Sequence, residues 1–410
     1  MSNSLLTISM ITNEALAVLE NQLTFTKTVN REYSKEFGKS GAKIGSTVNV
    51  RKPLRYVART TPTLNVENST ETYVPVVLTS QYGVDVSFTS AELTLSIDMF
   101  ADRVIKPAVA QVANKIDLDG CAQFSNIYQN VGTPGTTPNA LLTYLQAGVK
   151  LDNSSAPMGE RNVIVNPIAQ ATIVDGLKGL FNPQADLAKQ YIKGQMGTAA
   201  GFDWYMDQNV KNSTVGTYGG SPVVNGANQT GSSLVTNGWT ATTTSLNVGD
   251  CFTIANVYGV NPQNYQSTGA LQQFVVTAAT VTDGSGNSTI AISPAITPID
   301  TLGPNGSNGN PYATVTASPA SGAAITVYGT SGTLTANNLL HCRDAFTFAT
   351  CDLEMPGGVD MARRVSSDKL GVSMRIVRAY DINNDRFPMR IDVLGGWATL
   401  RPELACRILG

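Results

Sequence analysis

The stretch RIDVLGGWATLRPELACRILG, residues 390–410, carries two extended signals in succession. Val393, Trp397, Thr399 and Leu400 stand among small residues, and LACRIL then reads as a short, half-buried strand. Segments near a terminus fray unless something ties them down. The pattern therefore predicts that LACRIL completes a sheet whose other strands lie far upstream.

Working outward, composition limits what that sheet can belong to. The 410 residues are enough for two domains, and hydrophobic content is 42%, but charged residues make up just 14%, well under the usual quarter. A surface so poor in charge is either rich in Ser, Thr, Asn and Gly or covered by a partner. Net charge is −2, so no global basic field draws the chain to nucleic acid or an anionic membrane. The five cysteines, Cys121, Cys251, Cys342, Cys351 and Cys406, show no C-x-x-C spacing and are odd in number, which predicts reduced, inert thiols. The first twenty residues lack a basic n-region, and no apolar run reaches membrane-spanning length. A soluble protein without membrane contact is the expectation.

Between Lys211 and Arg343 there is no Lys or Arg, and the acids are Asp250, Asp283 and Asp300 alone. Short apolar runs such as CFTIANVYGV, LQQFVVTAATV and STIAIS alternate there with the turn signals VGD, DGSGN and GPNGSNGN. This is the pattern of a small antiparallel β domain. The flanks read as α+β. Residues 13–37 look helical, STVNVRKPLRYVART and YVPVVLTSQYGVDVSF read as the two arms of a long hairpin, and apolar residues from Ile97 to Ile116 recur at helical spacing toward Ile127. Pro107 must start, kink or interrupt that helix. RNVIVNPIAQATIV then predicts a strand followed by a helix capped by Asn166, with Pro167 at its first position. The economical organisation is a discontinuous core, 1–221 with 339–410, and an inserted β domain at 222–338.

The search for reactive chemistry comes back almost empty. Gly38-Lys39-Ser40 lacks the upstream glycine of a phosphate loop, because Tyr33 stands in its place. The one histidine, His341, has no ligand or triad spacing near it and reads as structural. DINNDRFPMRID offers Asp381, Asn383, Asp385 and Asp392 at calcium-loop offsets, but Arg386 occupies the glycine position, so a hairpin turn is the better reading. No catalytic residue, cofactor or metal is expected, and the chain reads as a non-enzyme. The most charged feature is the arm VRKPLRYVART, with Arg51, Lys52, Arg55 and Arg59 facing Glu67 and Glu71 on the returning side. These six are the candidate inter-subunit contacts, against the alternative of a solvated edge.

NVIVNP followed by helices, GFDWYMDQNV, VGDCFTIANVYGVNP, STGALQQFVVTAA, ISPAI, CRDAF and GGWATLRPELACRIL together resemble the P22-like major capsid proteins of tailed bacteriophages. That resemblance implies an HK97-like capsid fold: an N-terminal arm over 1–40, an extended loop over 45–90, a spine helix over 96–130, an axial domain from 138–221 plus 339–410, and a barrel-like insertion. It further implies self-assembly through hexamers and pentamers into an icosahedral shell around double-stranded DNA, touched by weak contacts. A scaffolding protein and a portal are the implied partners, in a virion assembled in the host bacterial cytoplasm. Two other classes share parts of the pattern: a β-rich adhesin or tail component, and a hydrolase with an accessory β module.

Overall fold

Two segments far apart in sequence, Ser80–Thr89 and Arg386–Thr399, pair antiparallel from Thr89 opposite Arg386 to Ser80 opposite Gly395. The computed structural model describes residues 15–17, 19, 23–33, 47–58, 62–63, 66, 71–90, 104–177, 197–242, 245–299, 310–366 and 372–410. Its contacts fall into two units, one of Met1–Val50, Tyr73–Cys121 and Phe346–Leu400, the other of Arg51–Thr72, Ala122–Ala345 and Arg401–Gly410.

In the first unit, Arg386–Thr399 is the hub of a five-stranded sheet. Besides Ser80–Thr89 it pairs with Phe346–Cys351 and Ser373–Arg378, and the latter pairs with Met361–Ser366. The alternation expected of residues 82–88 is therefore real, but its partner is the hub strand and not the opposite arm. The described pairing between the arms is short, Thr47–Arg51 with Tyr73–Val77. Packing explains the Gly395-Gly396 pair: a Cβ on Gly396 would lie 2.0 Å from the Val77 carbonyl oxygen.

The helix Lys106–Ala122 runs for 17 residues, about 26 Å at 1.5 Å per residue. Pro107 sits in its first turn, where a missing N–H breaks no helical bond. Residues 96–103 of the expected spine lie outside the described residues, and the helix stops short of 130 because Gln123–Asn126 tightens into a 3-10 turn before extended Ile127. Asp117, 1% exposed, fastens the helix by accepting from the Thr24 and Thr26 backbone N–H groups, at 2.6 and 3.1 Å, and from Thr26 Oγ1 at 2.5 Å. Trp397 Nε1 donates to the Ile116 carbonyl at 3.2 Å while its ring stacks on Phe25, centroids 5.3 Å apart. Of the N-terminal segment expected to be helical, residues 15–17, 19 and the single turn Phe25–Thr28 are so among the described residues. Asn30 then exchanges backbone bonds with Phe346 and Phe348, each at 3.1 Å, and that strand-like bridge ends the helical run.

Asp392, also 1% exposed, receives Arg375 at 2.8 Å and both Arg390 Nε and Nη2, at 2.8 and 2.9 Å. Burial alone would raise its pKa. The hydrogen bonds from Arg390, Arg375 and Gln81 outweigh it and hold the carboxyl below the usual range.

In the second unit, the strand order is Asn130–Gly132, Ala405–Leu409, Leu334–Cys342, Arg161–Val165, Phe202–Met206 and Thr198–Ala199, with Asn212–Thr214 pairing further along Leu334–Cys342. LACRIL thus joins a sheet begun far upstream. It is not half-buried, however: all five residues of Ala405–Leu409 are buried, because the strand lies inside the sheet. Asn166 caps Pro167–Leu177 as expected, its Oδ1 accepting the Ala169 N–H at 2.7 Å.

Residues 220–327 form a six-stranded antiparallel sheet in the order Ile325–Val327, Cys251–Val260, Ser267–Val276, Ser288–Ile296, Gly231–Trp239, Gly220–Val224. The two outer strands meet: Val223 bridges Ala324, Val224 N–H donates to Ala323 at 2.9 Å, and Gly322 N–H returns to Val224 at 2.8 Å. The sheet closes into a barrel filled by Leu234, Trp239, Phe252, Phe274, Ile290 and their neighbours, each contributing about 1.5–3 kcal/mol on burial. The expected limits 222 and 338 fall inside the strands Gly220–Val224 and Leu334–Cys342. Composition changes at the nearest charged residues, whereas the barrel ends where its ladder ends.

Arg407, 2% exposed, crosses from the sheet to the barrel, donating to the Gly249 carbonyl and to Cys251 Sγ, both at 2.7 Å. Gln273 and the Asn130 backbone exchange bonds at 2.8 and 3.0 Å. These contacts seat the barrel on its own unit without surface charge.

His341 is completely buried, with Nδ1 3.1 Å from the Cys342 carbonyl. Desolvation pushes its pKa from 6.5 down to about 4, against the opposing pull of that carbonyl. With the folded value below the unfolded one, the unfolded chain takes up a proton first. Stability is thus full above pH 6.5 and drains by about 3 kcal/mol as pH falls toward the folded value. Denaturant midpoints measured from neutral pH downward should show that loss, and His341→Gln should flatten the slope. An unchanged slope would assign the acid sensitivity to other groups.

Candidate assembly surface

The root of the arm is where the sequence placed its candidate contacts, and within the second unit the geometry there is specific. Arg51 pairs with Glu71 at 3.3 Å, both side chains more than half exposed, a pair of the kind that contributes about 0–1 kcal/mol. Lys52 N–H donates to the Thr72 carbonyl at 2.8 Å, and Tyr265 donates its hydroxyl to the Tyr56 carbonyl at 3.0 Å. Arg55 turns away from the returning arm and reaches Glu403 at 3.7 Å, where Arg401 Nε also binds at 3.2 Å. Glu403 is held from behind, since its carbonyl accepts Gln129 Nε2 at 3.2 Å. Arg59 and Glu67 lie outside the described residues, as does Gly38-Lys39-Ser40. The structure thus joins Arg51 to Glu71 as proximity in the hairpin suggested, and gives Arg55 a partner hundreds of positions away that no local reading could supply.

A second surface has no counterpart in the sequence reading. The helix Leu141–Asn153 buries Tyr144, Ala147, Gly148 and Leu151. Its opposite face exposes Leu142 at 64%, Leu145 at 40% and Val149 at 55%. Spacings of three and four residues put these three on one stripe. A helix apolar on both faces is normally covered on both. The signal was present in LLTYLQAGVKL, where apolar residues fail to leave one polar side.

The other candidates resolve into structure. The DINNDRF turn closes on itself: Asn383 N–H and Asn384 Nδ2 both bind Asp381, at 3.0 and 2.7 Å, and Asp381 bridges Arg386. Among the described residues no group of three or more His, Cys, Asp and Glu could hold a metal. Cys121, Cys251, Cys342 and Cys406 are buried free thiols and Cys351 is partly exposed. Burial raises the pKa of Cys251, Cys342 and Cys351 and pushes Cys406 up to about 12. Among the described residues no helix is long and apolar enough to cross a membrane.

The family model for the P22 coat protein, gene protein 5, matches residues 1–410. The chain belongs to the P22 coat protein family. It is therefore a major capsid protein of a tailed bacteriophage, a structural protein of the virion capsid that assembles from many copies into a shell, and its α+β architecture with an inserted barrel is that of a capsid subunit. This decides against the adhesin. Similar solved structures include one from Mycobacterium phage Che8, 10% identical over 94% of this chain and 90% of that one, with a TM-score of 0.46. The capsid of Ralstonia phage GP4 is 8% identical over 95% and 90%, TM-score 0.47. The CUS-3 coat protein I-domain is 28% identical over 27% of this chain and 96% of that one, TM-score 0.21. No curated protein matches the chain.

Proposed function

We propose that this coat protein builds its shell by multiplying modest, charge-poor contacts, without bond chemistry of its own. The observation that supports this is the solvent-facing stripe Leu142, Leu145 and Val149, apolar surface of the kind that a second copy covers. Interface cores are depleted in charge, and closed symmetry repeats each weak contact at every equivalent position. Hexamers and pentamers are the units, a scaffolding protein and a portal the assembly partners, and the packaged double-stranded DNA is touched weakly, in keeping with a net charge of −2. Assembly takes place in the host bacterial cytoplasm. The inserted barrel serves as a domain of the subunit, and the exposed Arg51–Glu71 pair is the part of the charged arm best placed to touch a neighbour.

Expression of the full chain together with its scaffolding protein, followed by electron microscopy, should give closed shells of uniform size. A strictly monomeric species in sedimentation under those conditions would overturn the proposal.

A further inference from the structure

The barrel carries the same labile dipeptide in two opposite surroundings, Asn225-Gly226 and Asn237-Gly238. In such a pair the glycine has no Cβ to shield its own nitrogen, so that nitrogen can close an imide ring on the asparagine Cγ wherever the backbone is free to turn. Asn225 and Gly226 are both exposed, just beyond the strand Gly220–Val224. Among the described residues the Gly226 N–H donates to nothing and the Asn225 side-chain amide has no partner. The turn is held by Gln229, whose Nε2 reaches the Asn225, Gly226 and Val235 carbonyls at 2.8, 3.1 and 3.0 Å. Swinging the Gly226 nitrogen onto Asn225 Cγ therefore gives up the exposed bond between Gln229 and the Asn225 carbonyl.

Asn237 is locked by comparison. It lies inside Gly231–Trp239, opposite Val223, and its Oδ1 is buried. A Cβ on Gly238 would lie 2.5 Å from the Ser221 carbonyl oxygen, so the facing strand presses directly on this peptide. The same swing there must first open the ladder, whose backbone groups have no other partners.

We propose that Asn225 is a site of spontaneous covalent modification, deamidation by its own chain, and that Asn237 is protected from it by the fold. The Gly226 nitrogen forms a bond to Asn225 Cγ and loses its proton, the Cγ–Nδ2 bond breaks, and the departing amide takes that proton and leaves as ammonia. Water then adds to one imide carbonyl or the other, giving aspartate or isoaspartate. Either product adds a carboxylate to a segment whose acids are otherwise Asp250, Asp283 and Asp300. Isoaspartate also lengthens the main chain directly after Val224, which bonds Ala323 and Gly322 where the barrel closes at 2.9 and 2.8 Å. The modified subunit thus has a weakened seam, whatever the state of assembly.

Incubation of the full chain at mildly alkaline pH, followed by peptide mapping with fragment-ion localisation, tests this. Trypsin finds no site between Lys211 and Arg343, but chymotryptic cleavage after Tyr218 and Trp239 encloses both pairs. In the folded protein Asn225 should convert at least about tenfold faster than Asn237, because the latter waits on local opening. In denaturant the two rates should converge. Asn225→Gln should abolish conversion at 225 without raising it at 237. Amide exchange at Val224 and Gly322 should quicken in the isoaspartate fraction and stay slow in Asn225→Gln aged alongside. Equal rates at both sites in the folded chain, or an Asn225 that converts in denaturant and not in the fold, would overturn the modification site. Unchanged exchange in the isoaspartate fraction would overturn its effect on the seam.

Discussion

Leu142→Asp combined with Val149→Asp should give a soluble, folded subunit that no longer forms shells. Both side chains are more than half exposed, at 64% and 55%, and the face that holds the helix to its sheet, Tyr144, Ala147, Gly148 and Leu151, is untouched. Circular dichroism and thermal midpoint should therefore stay near those of the parent, since surface substitutions away from special features usually stay within about ±0.5 kcal/mol. At a contact between copies the balance differs. Each Leu or Val covered by a neighbour contributes about 1.5–3 kcal/mol, and an unpaired carboxylate in its place must be desolvated at a further cost. Because the contact recurs around the shell, losses of this size at each repeat leave no stable closed assembly. Sedimentation and electron microscopy read the outcome directly. Normal shells from the double variant would show that the stripe is not a contact between copies.

The second large effect is on folding itself. A Cβ on Gly120 would lie 2.6 Å from Trp397 Cζ2 and 2.8 Å from Phe25 Cδ1, and those two rings are stacked on one another with Phe348 against the indole at 4.7 Å. Trp397 cannot retreat without breaking its bond to Ile116, and Phe25 is backed by the Phe346 ring, centroids 5.5 Å apart. Gly120→Val should therefore cost more than the about 1–3 kcal/mol typical of overpacking, enough to send most of the chain to the insoluble fraction. Gly120→Ala, smaller but still clashing, should fold at reduced temperature with a lowered midpoint. Parent-like stability of the valine variant would mean that the helix can shift away from the sheet.

What the sequence made legible was whatever physics is local. The period-two pattern of residues 82–88, the Asn166 cap and the uncharged barrel segment each follow from neighbours in sequence, and each is found in the structure. Pairing partners are not local. The arms looked complementary because they were adjacent, yet the longer ladder went to Arg386–Thr399, a strand whose length becomes apparent once Gly395 is seen to admit the Phe348 ring and Gly396 the Val77 backbone. At the arm root the four arginine and lysine positions were visible as charge, but Glu403 as the partner of Arg55 depends on Arg401–Gly410 lying in the same unit as residues 51–72. The apolar stripe could have been found from LLTYLQAGVKL, had surplus hydrophobicity been weighed as well as periodicity.

The strand Asn212–Thr214 zips against the start of Leu334–Cys342, Thr214 opposite Leu334 and Asn212 opposite Ala336. That stem encloses residues 215–333. If the enclosed chain were floppy, closing the stem over it would cost about 3 kcal/mol more than closing a four-residue turn, from the logarithmic growth of loop entropy. Three residue pairs cannot reliably meet that. A barrel that has closed its own ladder instead presents two tethered ends to the stem, so the entropy is spent inside the barrel's core and the stem zips as though the intervening chain were short. Any stably folded replacement with similarly spaced ends would serve the stem equally, which makes this junction the natural place to graft a foreign module onto the subunit.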